Sequence, residues 1–427
     1  MVQEMKNTRF YWIGEIPVDW ELIKLGYLCS LKGRIGWKGL RSDEFLEKSY
    51  AYLVTGQDFV DDTVNWEACY QIEKGRYDED PYIQLREGDL LVTKDGTIGK
   101  IAKVRITDKP ACLNSGIFVL RQTANKFDQG YLYWQLNSTL LTDYNLFVNS
   151  GASTIQHLYQ NVFERMPLIV PPFQEQQAIA GFLDGKCAEI DGLLADLNAE
   201  VKTLAEYKKS IIAETVTRGL NPNAPMRNVS LGWIDVIPEH WEVARIASVY
   251  SVRNKKVSDK DYPPLSVTMK GIVPQLDSAA KTKHGDDRKL IRKGDFVINS
   301  RSDRRGSCGI SAYDGSCSLI NTVLAPREKM NPRYYNWLFH TSSFADEFYK
   351  WGYGIVDDLW TTNWESMRRI QIPVPPLDEQ ETIAEYLDNK IPQIEETITD
   401  KQTQIETLKS YKASLIYEYV TGKKQVI

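Results

Sequence analysis

The chain has 427 residues, of which 42% are hydrophobic and 26% are charged, and its formal net charge is -5. This length predicts more than one domain, because single cores stop growing at about 250 to 300 residues. The composition is typical of a globular protein, and no apolar run approaches the roughly 20 residues that a membrane-spanning helix needs. The polar segment 1–9 lacks the hydrophobic region of a signal peptide, so we expect a cytoplasmic protein without a membrane partner.

The first 170 residues predict an α+β domain. Short β-rich runs such as "YAYLVTG" (50–56), "GDLLVTK" (88–94) and "GIFVLRQ" (116–122) are separated by Gly and Asp, and the aromatic stretch "YLYWQLNSTLL" (131–141) is typical of a helix. The same sequence of patterns returns in residues 222–374, with "GDFVINS" (294–300), "SLINTVLAP" (318–326) and "YYNWLFHTSSF" (334–344).

A long repeat follows each of these blocks. "PPFQEQQAIAGFLDGK" (171–186) returns as "PPLDEQETIAEYLDNK" (375–390), and residues 171–217 match residues 375–421 at 20 of 47 positions without a gap. Shorter repeats lie upstream, where "IPVDWE" (16–21) matches "IPEHWE" (237–242) and "REGDLLV" (86–92) matches "RKGDFVI" (292–298). The chain therefore consists of a variable block and a repeat, each occurring twice.

The repeat predicts a long helix. Pro-Pro excludes a helix before it, and acidic residues suit the first turn that follows. Apolar side chains then recur at alternating spacings of three and four, with Lys401 as the one polar exception, so each copy offers a seam on which the other can pack. Pro392 predicts either a kink in the second helix or the point where its long part begins. The seam residues are Cys187, Ile190, Leu194, Leu197, Val201 and Leu204 in the first copy, and Ile391, Ile394, Ile398, Lys401, Ile405 and Leu408 in the second.

Basic loops in the variable blocks are candidate DNA contacts. The net charge argues against a uniformly basic nucleic-acid binder, but residues 222–374 carry 22 basic and 17 acidic side chains while both repeats are acidic. Flexible loops with Arg, Lys, Ser and Thr suit contacts to phosphates and base edges, although a solvated polar loop has the same composition. The candidate residues are Lys32, Arg34, Lys38, Arg41, Lys94, Thr97, Lys100, Lys270, Ser300, Arg301, Arg304 and Arg305.

No motif predicts catalysis or a metal site. "DPY" (80–82) resembles the Asp/Asn-Pro-Pro-Tyr motif of amino-methyltransferases but lacks the second proline, so a turn is the better interpretation. The six cysteines and four histidines lack metal-ligand spacing, which predicts buried free thiols. The repeated acids could be mistaken for an active site, but their position after Pro-Pro indicates helix starts and subunit docking. These docking candidates are Glu175, Gln176, Glu379 and Gln380.

The chain is similar to the specificity subunits of type I restriction-modification systems. The similarity rests on the paired "IPxxWE" openings, the "GD" strands at 88–89 and 294–295, and the two Pro-Pro-x-x-Glu-Gln-x-x-Ile-Ala helices. "SGASTIQHL" (150–158) also resembles the segment that precedes Pro-Pro in the family, and "GYGIVDDL" (352–359) is a looser match.

This resemblance implies a pseudo-twofold α+β architecture. Residues 1–170 and 222–374 would be two α/β target recognition domains, separated by an antiparallel coiled coil of residues 171–221 and 375–427. The chain would be non-catalytic and hold no cofactor. Its partners would be double-stranded DNA, two methyltransferase subunits that bind S-adenosylmethionine, and two restriction subunits.

Two different reading domains in one chain predict an asymmetric, bipartite DNA site. For both half-sites to be reached from one face of DNA, they should lie about one helical turn, roughly 34 Å, apart. The coiled coil would then determine the length of the unread spacer. One alternative is a single-chain enzyme with its own reader, against which the missing methyltransferase motif counts. The other is a scaffold whose coil joins two protein-binding modules without any DNA role.

Overall fold

The computed structural model describes residues 4–34, 39–105, 108–123, 127–149, 157–275, 285–301, 304–354 and 360–426. The chain divides into two compact units. Unit 1 comprises Met1–Leu197 and Thr403–Ile427, and unit 2 comprises Asn198–Gln402. A unit therefore combines one variable block with segments from both repeats.

Two helices are much longer than the rest, as the repeat predicts, and Pro392 lies inside the second of them. That helix continues through the proline instead of starting after it. The helices of the described residues are α1 (Leu25–Leu28), α2 (Lys74–Asp78), α3 (Gln129–Leu136), α4 (Thr139–Val148), α5 (Gln160–Phe163), α6 (Phe173–Arg218), α7 (Ile246–Val249), α8 (Pro332–Phe339), α9 (Ser342–Lys350), α10 (Trp364–Met367) and α11 (Leu377–Val420).

The variable block of unit 1 is built on two sheets. A six-stranded sheet has the order β4-β12-β9-β10-β7-β6, and a three-stranded sheet has the order β11-β5-β8, while β1 pairs with β2 and β3 pairs with β13. The strands are β1 (Met5–Asn7), β2 (Glu15–Pro17), β3 (Glu21–Lys24), β4 (Cys29–Gly33), β5 (Ala51–Val54), β6 (Phe59–Val60), β7 (Thr63–Val64), β8 (Tyr70–Ile72), β9 (Leu90–Thr93), β10 (Ile101–Lys103), β11 (Ala111–Leu113), β12 (Ile117–Gln122) and β13 (Pro167–Val170).

Unit 2 repeats the central part of this arrangement. Its four-stranded sheet has the order β17-β25-β22-β23, which corresponds to β4-β12-β9-β10, and its three-stranded sheet has the order β18-β21-β24. Three further pairs are β14 with β15, β16 with β26, and β19 with β20. The strands are β14 (Met226–Asn228), β15 (Val236–Pro238), β16 (Glu242–Arg245), β17 (Tyr250–Val252), β18 (Lys256–Val257), β19 (Leu265–Thr268), β20 (Gly271–Pro274), β21 (Arg288–Ile291), β22 (Phe296–Asn299), β23 (Cys308–Ile310), β24 (Gly315–Cys317), β25 (Asn321–Pro326) and β26 (Gln371–Val374).

Segments of α6 and α11 pack antiparallel within each unit. In unit 1 the rings of Phe182 and Tyr419 lie 4.5 Å apart, and Lys412 binds Asp191 at 2.6 Å. In unit 2 Lys208 binds Glu395 at 3.0 Å, and Lys401 forms an ion pair with Glu200. Residue numbers therefore rise along one helix as they fall along the other, which confirms the antiparallel coiled coil.

The main core of each unit includes these helix segments. In unit 1 the seam residues Cys187 and Ile190 are buried with the aromatic helix α3, and in unit 2 Ile391 and Ile394 are buried with α8. All six cysteines are buried free thiols, as predicted. Desolvation raises the pKa of Cys112 and Cys317 to about 11, which keeps both thiols protonated near neutral pH. In the part of the chain that the structure describes, no helix combines the length and the apolar character needed to span a membrane.

Candidate nucleic-acid interface

The repeated glutamates fasten the start of each long helix to the repeated tryptophans. The indole N–H of Trp20 donates to the carboxylate of Glu175 at 3.1 Å, and the indole N–H of Trp241 donates to Glu379 at 2.9 Å. Both indoles are buried, with 1% of their surface exposed. The motifs "IPxxWE" and "PPxxEQ" are therefore two halves of one contact, which occurs once in each unit.

The glutamine that follows each glutamate is an internal connector. Gln176 donates to the carbonyl of Pro171 at 2.8 Å and accepts from the backbone N–H of Asp128 at 2.7 Å. Gln380 donates to the carbonyl of Pro375 at 2.8 Å and accepts from the N–H of Asn331 at 2.9 Å. Both glutamines lie at helix starts as predicted, but they are 0% and 1% exposed. The structure therefore corrects their assignment as docking residues, because a buried side chain cannot contact a partner.

The repeated "GD" aspartate lies just before β9 in unit 1 and just before β22 in unit 2, and it binds an arginine in each unit. The buried carboxylate of Asp89 accepts two hydrogen bonds from Arg121, at 2.7 and 2.6 Å, and Asp295 accepts two from Arg253, at 2.6 and 2.9 Å. The sequence did not predict either arginine, because they occupy different positions in the two units. Arg121 lies within β12, whereas Arg253 comes directly after β17. Only the repeated aspartate could have signalled that a cationic partner was needed.

In unit 1, the predicted loop 94–100 joins β9 to β10 and is held in a tight fold. The Thr93 hydroxyl accepts from the N–H of Lys100 at 2.9 Å, and Gly96 and Gly99 adopt positive φ angles of 71° and 83°. Thr97 and Lys100 are exposed and line a cleft of about 510 Å³ together with residues that follow β5 and β11. This loop therefore presents one hydroxyl and one ammonium group to solvent.

Lys94 is less available than the other loop residues. It lies 2.8 Å from Asp95, which also contacts His157 at 2.7 Å. Burial opposes ionisation of Asp95, but the hydrogen bonds from Lys94 and His157 keep the pKa of its carboxyl below the usual value. Asp95 is thus a carboxylate at neutral pH, and it offsets much of the Lys94 charge.

The segment near residue 34 only partly agrees with the prediction. Arg34 is 4% exposed, and its guanidinium donates to the carbonyl of Leu113 at 2.9 Å. This interior position corrects its assignment as a DNA contact. Lys32 and Arg41 are exposed, with the Lys32 ammonium 5.8 Å from the ring centre of Tyr82, whereas Lys38 lies outside the described residues. Lys32 and Arg41 are not among the described residues that line the cleft beside Lys100.

In unit 2, the loop between β22 and β23 occupies the position that corresponds to the loop 94–100. Ser300 is 3% exposed and its hydroxyl lies 3.0 Å from that of Thr322, which corrects its assignment as a DNA contact because the hydroxyl faces the interior. Arg301 is partly buried, and Arg304 and Arg305 are exposed. Arg305 forms an ion pair with Asp346.

Lys270 lies at the tip of the hairpin formed by β19 and β20. Together with Arg305 it lines a groove of about 790 Å³, whose other charged side chains include Lys208, Lys209 and Glu395. This groove is predominantly basic, and the loop between β22 and β23 forms part of its rim. The predicted residues Lys270 and Arg305, which are 35 positions apart in sequence, are thus brought together.

Comparison with known proteins places the chain in a family. The sequence model of the family described as "Type I restriction modification DNA specificity domain" matches residues 17–203 and again 238–407. The chain belongs to this family. Both matches begin at the proline of an "IPxxWE" motif and end within a repeat helix, so the family pattern occurs twice, as the internal repeat predicts.

Several specificity subunits match this chain over most of their length. The chain is 24% identical to the type I restriction enzyme MjaVIII specificity subunit of Methanocaldococcus jannaschii, over 96% of this chain and 94% of that protein. It is also 24% identical to the putative MjaX specificity subunit of the same organism, over 99% and 97%, and 22% identical to the EcoDI specificity subunit of Escherichia coli, over 87% and 81%.

Two solved structures share the fold of this specificity-family chain. One comes from a study of complex assembly in the type I R-M system, with a TM-score of 0.69, 16% identity and coverage of 96% of this chain and 99% of that one. The other is the HsdS subunit of Thermoanaerobacter tengcongensis, with a TM-score of 0.54, 16% identity and coverage of 96% and 98%. They support the predicted fold of two mixed α/β domains with long repeat helices.

Proposed function

We propose that this chain is the DNA specificity subunit of a type I restriction-modification complex. The observation that carries the proposal is that corresponding loops of the two units share a position in the sheet but differ in chemistry. The loop between β9 and β10 exposes Thr97 and Lys100, whereas the loop between β22 and β23 exposes Arg304 and Arg305. Two domains that share a sheet but differ in their loops are suited to recognising two different DNA sequences.

The exposed groups on these loops match DNA chemistry. Lysine and arginine side chains contact phosphates, and the affinity that these contacts provide falls as the salt concentration rises. Arginine also recognises guanine through paired hydrogen bonds. Threonine can donate to or accept from base edges. We assign the recognition domains to residues 1–170 and 222–374, and the retained candidate contacts are Lys32, Lys38, Arg41, Lys94, Thr97, Lys100, Lys270, Arg301, Arg304 and Arg305.

The two readers then recognise an asymmetric, bipartite site. Each domain reads one half-site, and the helices α6 and α11 set the length of the unread spacer between them. The chain itself is a reader without catalytic activity. Two methyltransferase subunits, which bind S-adenosylmethionine, and two restriction subunits supply the modification and cleavage of the DNA.

Single substitutions in the loops test the assignment of half-sites. Arg304→Ala should relax or weaken recognition of one half-site, and Lys100→Ala should affect the other, with each lost base contact costing about 1 to 3 kcal/mol. Sequencing of methylated bases in cells that carry each variant reads both half-sites at once. Lys202→Ala, on an exposed face of α6, is the control.

The outcome separates this proposal from its alternatives. If Arg304→Ala and Lys100→Ala altered the same half-site, the assignment of one reader to each domain would be wrong. A scaffold without a DNA role would show no DNA affinity that falls with rising salt, whereas the complex of this chain with its methyltransferase should lose affinity steeply between about 50 and 200 mM salt.

A further inference from the structure

A turn with the same internal contact occurs in each unit. In unit 1 it joins β5 to β6 and contains "VTGQ" (54–57), and in unit 2 it joins β19 to β20 and contains "VTMK" (267–270). The Thr55 hydroxyl accepts from the backbone N–H of Gln57 at 3.3 Å, and the Thr268 hydroxyl accepts from that of Lys270 at 3.1 Å. Gln57 and Lys270 therefore occupy the same position in the two turns.

The strands that lead into the two turns have equivalent neighbours. β5 pairs in parallel with β11, and Pro264, directly before β19, forms a parallel bridge with Ser316 in β24. β11 is followed in the chain by β12, and β24 by β25, which hold the same place in the main sheets. The two turns are thus counterparts in the shared fold, and their contact through threonine and backbone allows the residue after it to differ.

Each turn lies beside the loop that we propose as a DNA contact in its unit. Gln57 lines the cleft of about 510 Å³ together with Thr97 and Lys100. Lys270 lines the groove of about 790 Å³ together with Arg305. Each of the two pockets therefore combines side chains of one loop with the side chain at the same position of the turn.

Both turns closely approach the strands that border these loops. A methyl group added at Gly56 would lie 2.9 Å from the side chain of Thr93, at the end of β9. One added at Gly309 in β23 would lie 2.9 Å from the Cα atom of Gly271. These distances leave no room for a side chain between the turn and the strand. Turn and loop therefore form one continuous surface in each unit.

The side chains at the shared position are available for a ligand. Gln57 and Lys270 are exposed, and within the ranges that the structure describes neither side chain forms a hydrogen bond or an ion pair. By contrast, Arg305 in the same groove as Lys270 is paired with Asp346. The backbone of each turn is held by its threonine, so the free side chain projects from a fixed point, as recognition of a ligand requires.

The two side chains differ in what they can bind. A glutamine amide has both donors and an acceptor, which match the N6 amino group and N7 of adenine in the major groove. A lysine ammonium has donors alone, which match O6 and N7 of guanine. An exchange between them at one position of a shared turn therefore changes the preferred base without a change in the fold.

We infer that Gln57 and Lys270 are equivalent base-reading residues, with Gln57 selecting adenine in one half-site and Lys270 selecting guanine in the other. The inference rests on the proposed function, because it requires the two domains to bind DNA. It adds Gln57 to the candidate contacts. Composition did not indicate this residue, since residues 49–73 contain neither lysine nor arginine.

The reciprocal exchange of Gln57→Lys and Lys270→Gln tests this assignment. Each variant is produced as the full chain with the methyltransferase subunit of the same system, and the methylated sites of the host genome are sequenced. Gln57→Lys should replace one A·T pair by G·C in one half-site, and Lys270→Gln should make the opposite change in the other. The preference at each position should change about 10-fold or more, while the other positions of both half-sites stay the same.

Base analogues identify the atoms that are contacted. The purified complex is mixed with duplexes in which one adenine at a time is replaced by 7-deazaadenine, which lacks the N7 acceptor. One such replacement, in the half-site that Gln57→Lys alters, should weaken binding by the wild type about 5-fold. Gln57→Ala should bind that duplex and the unmodified one equally. With 7-deazaguanine, the wild type and Lys270→Ala should differ in the same way at the other half-site.

Matched controls make the same changes of charge elsewhere. Gln177→Lys and Lys202→Gln alter exposed positions of α6 and should leave both half-sites unchanged. The turn variants should keep the wild-type melting temperature, because the contact within each turn uses threonine and the backbone.

Three outcomes would count against the inference or its basis. If a turn variant weakened binding to all duplexes equally, its side chain would contact a phosphate and the inference would be wrong. The inference would also be wrong if the wild type read a bipartite site and neither exchange altered a base. If the wild-type complex recognised no bipartite site at all, the proposed function itself would fail.

Discussion

At the scale of single residues, the two helix starts show how one contact can be kept in different surroundings. Glu175 and Glu379 both accept from a buried indole, but the residue before that tryptophan is Asp19 in one copy and His240 in the other. Desolvation raises the pKa of Glu175, the hydrogen bond from Trp20 lowers it, and the nearby Asp19 raises it further. His240 instead contacts Glu379 directly.

This environment predicts that the carboxyl of Glu175 lowers the stability of unit 1 as it ionises. Because its pKa is higher in the folded chain than the usual 4.5, the folded state holds the proton more tightly, and stability falls as the pH rises through and above that value. Glu175→Gln keeps an acceptor for Trp20 but does not ionise. Relative to the wild type, the variant should therefore gain stability between pH 4 and pH 7, as measured by urea denaturation.

Glu189→Gln provides the comparison for that measurement. Glu189 lies on the same helix but is exposed, and its ion pair with Lys186 is a surface contact. Its replacement should change stability little at either pH. Greater destabilisation by Glu175→Gln at pH 7 than at pH 4 would contradict the prediction and show that the contact with Trp20 needs the negative charge.

The errors at this scale have a physical cause. Arg34 and Ser300 belong to loops whose composition suits DNA binding, yet both side chains are turned inward by contacts with residues far away in sequence, Leu113 and Thr322. Local composition cannot show which side chain of a loop points to solvent. The buried roles of Gln176 and Gln380 were missed for the same reason, since their partners lie almost 50 residues away.

At the scale of elements, periodicity was more informative than composition. The alternating spacing of three and four identified both long helices and most of the buried seam, because a helical repeat is a local property of the sequence. Lys401 is the exception in that seam. It is partly buried beside Glu200, whereas its repeat counterpart is Leu197.

Replacing this lysine should stabilise the coil. Lys401→Leu removes an ion pair to a largely exposed glutamate, worth at most about 1 kcal/mol, and adds apolar surface at a seam position, worth about 1.5 to 3 kcal/mol if fully buried. We expect a net gain of about 1 kcal/mol in the free energy of unfolding, because the site is only partly buried. Thermal denaturation would measure it, with Lys202→Leu on the exposed face as the control. A lower melting temperature for Lys401→Leu would show that the ion pair outweighs the seam.

At the scale of the whole molecule, the internal repeat predicted the architecture because each half carries its own copy of the motifs that hold it together. The tryptophan, glutamate, glutamine and "GD" aspartate contacts all recur, so a second unit could be inferred wherever a second copy of the motifs occurred. The loops that we propose as DNA contacts lack this redundancy. Their sequences differ between the units, which is what the proposed recognition of two different half-sites requires, and their composition does not specify which bases each loop would contact.

The proposed role of the coil as a spacer ruler makes the last prediction. Four residues inserted at paired positions in α6 and α11 add about one helical turn, roughly 6 Å, and leave the apolar faces in nearly the same direction. Since base pairs are stacked about 3.4 Å apart, the unread spacer should lengthen by about one to two base pairs while both half-sites stay the same. Methylated-base sequencing reads both properties in one experiment.

The same four residues inserted in the linker 220–225, which follows α6, should leave the spacer unchanged, because neither helix is lengthened. An unchanged spacer after the paired insertion in the helices would reject the ruler, and an altered half-site would show that the coil also positions the reading loops.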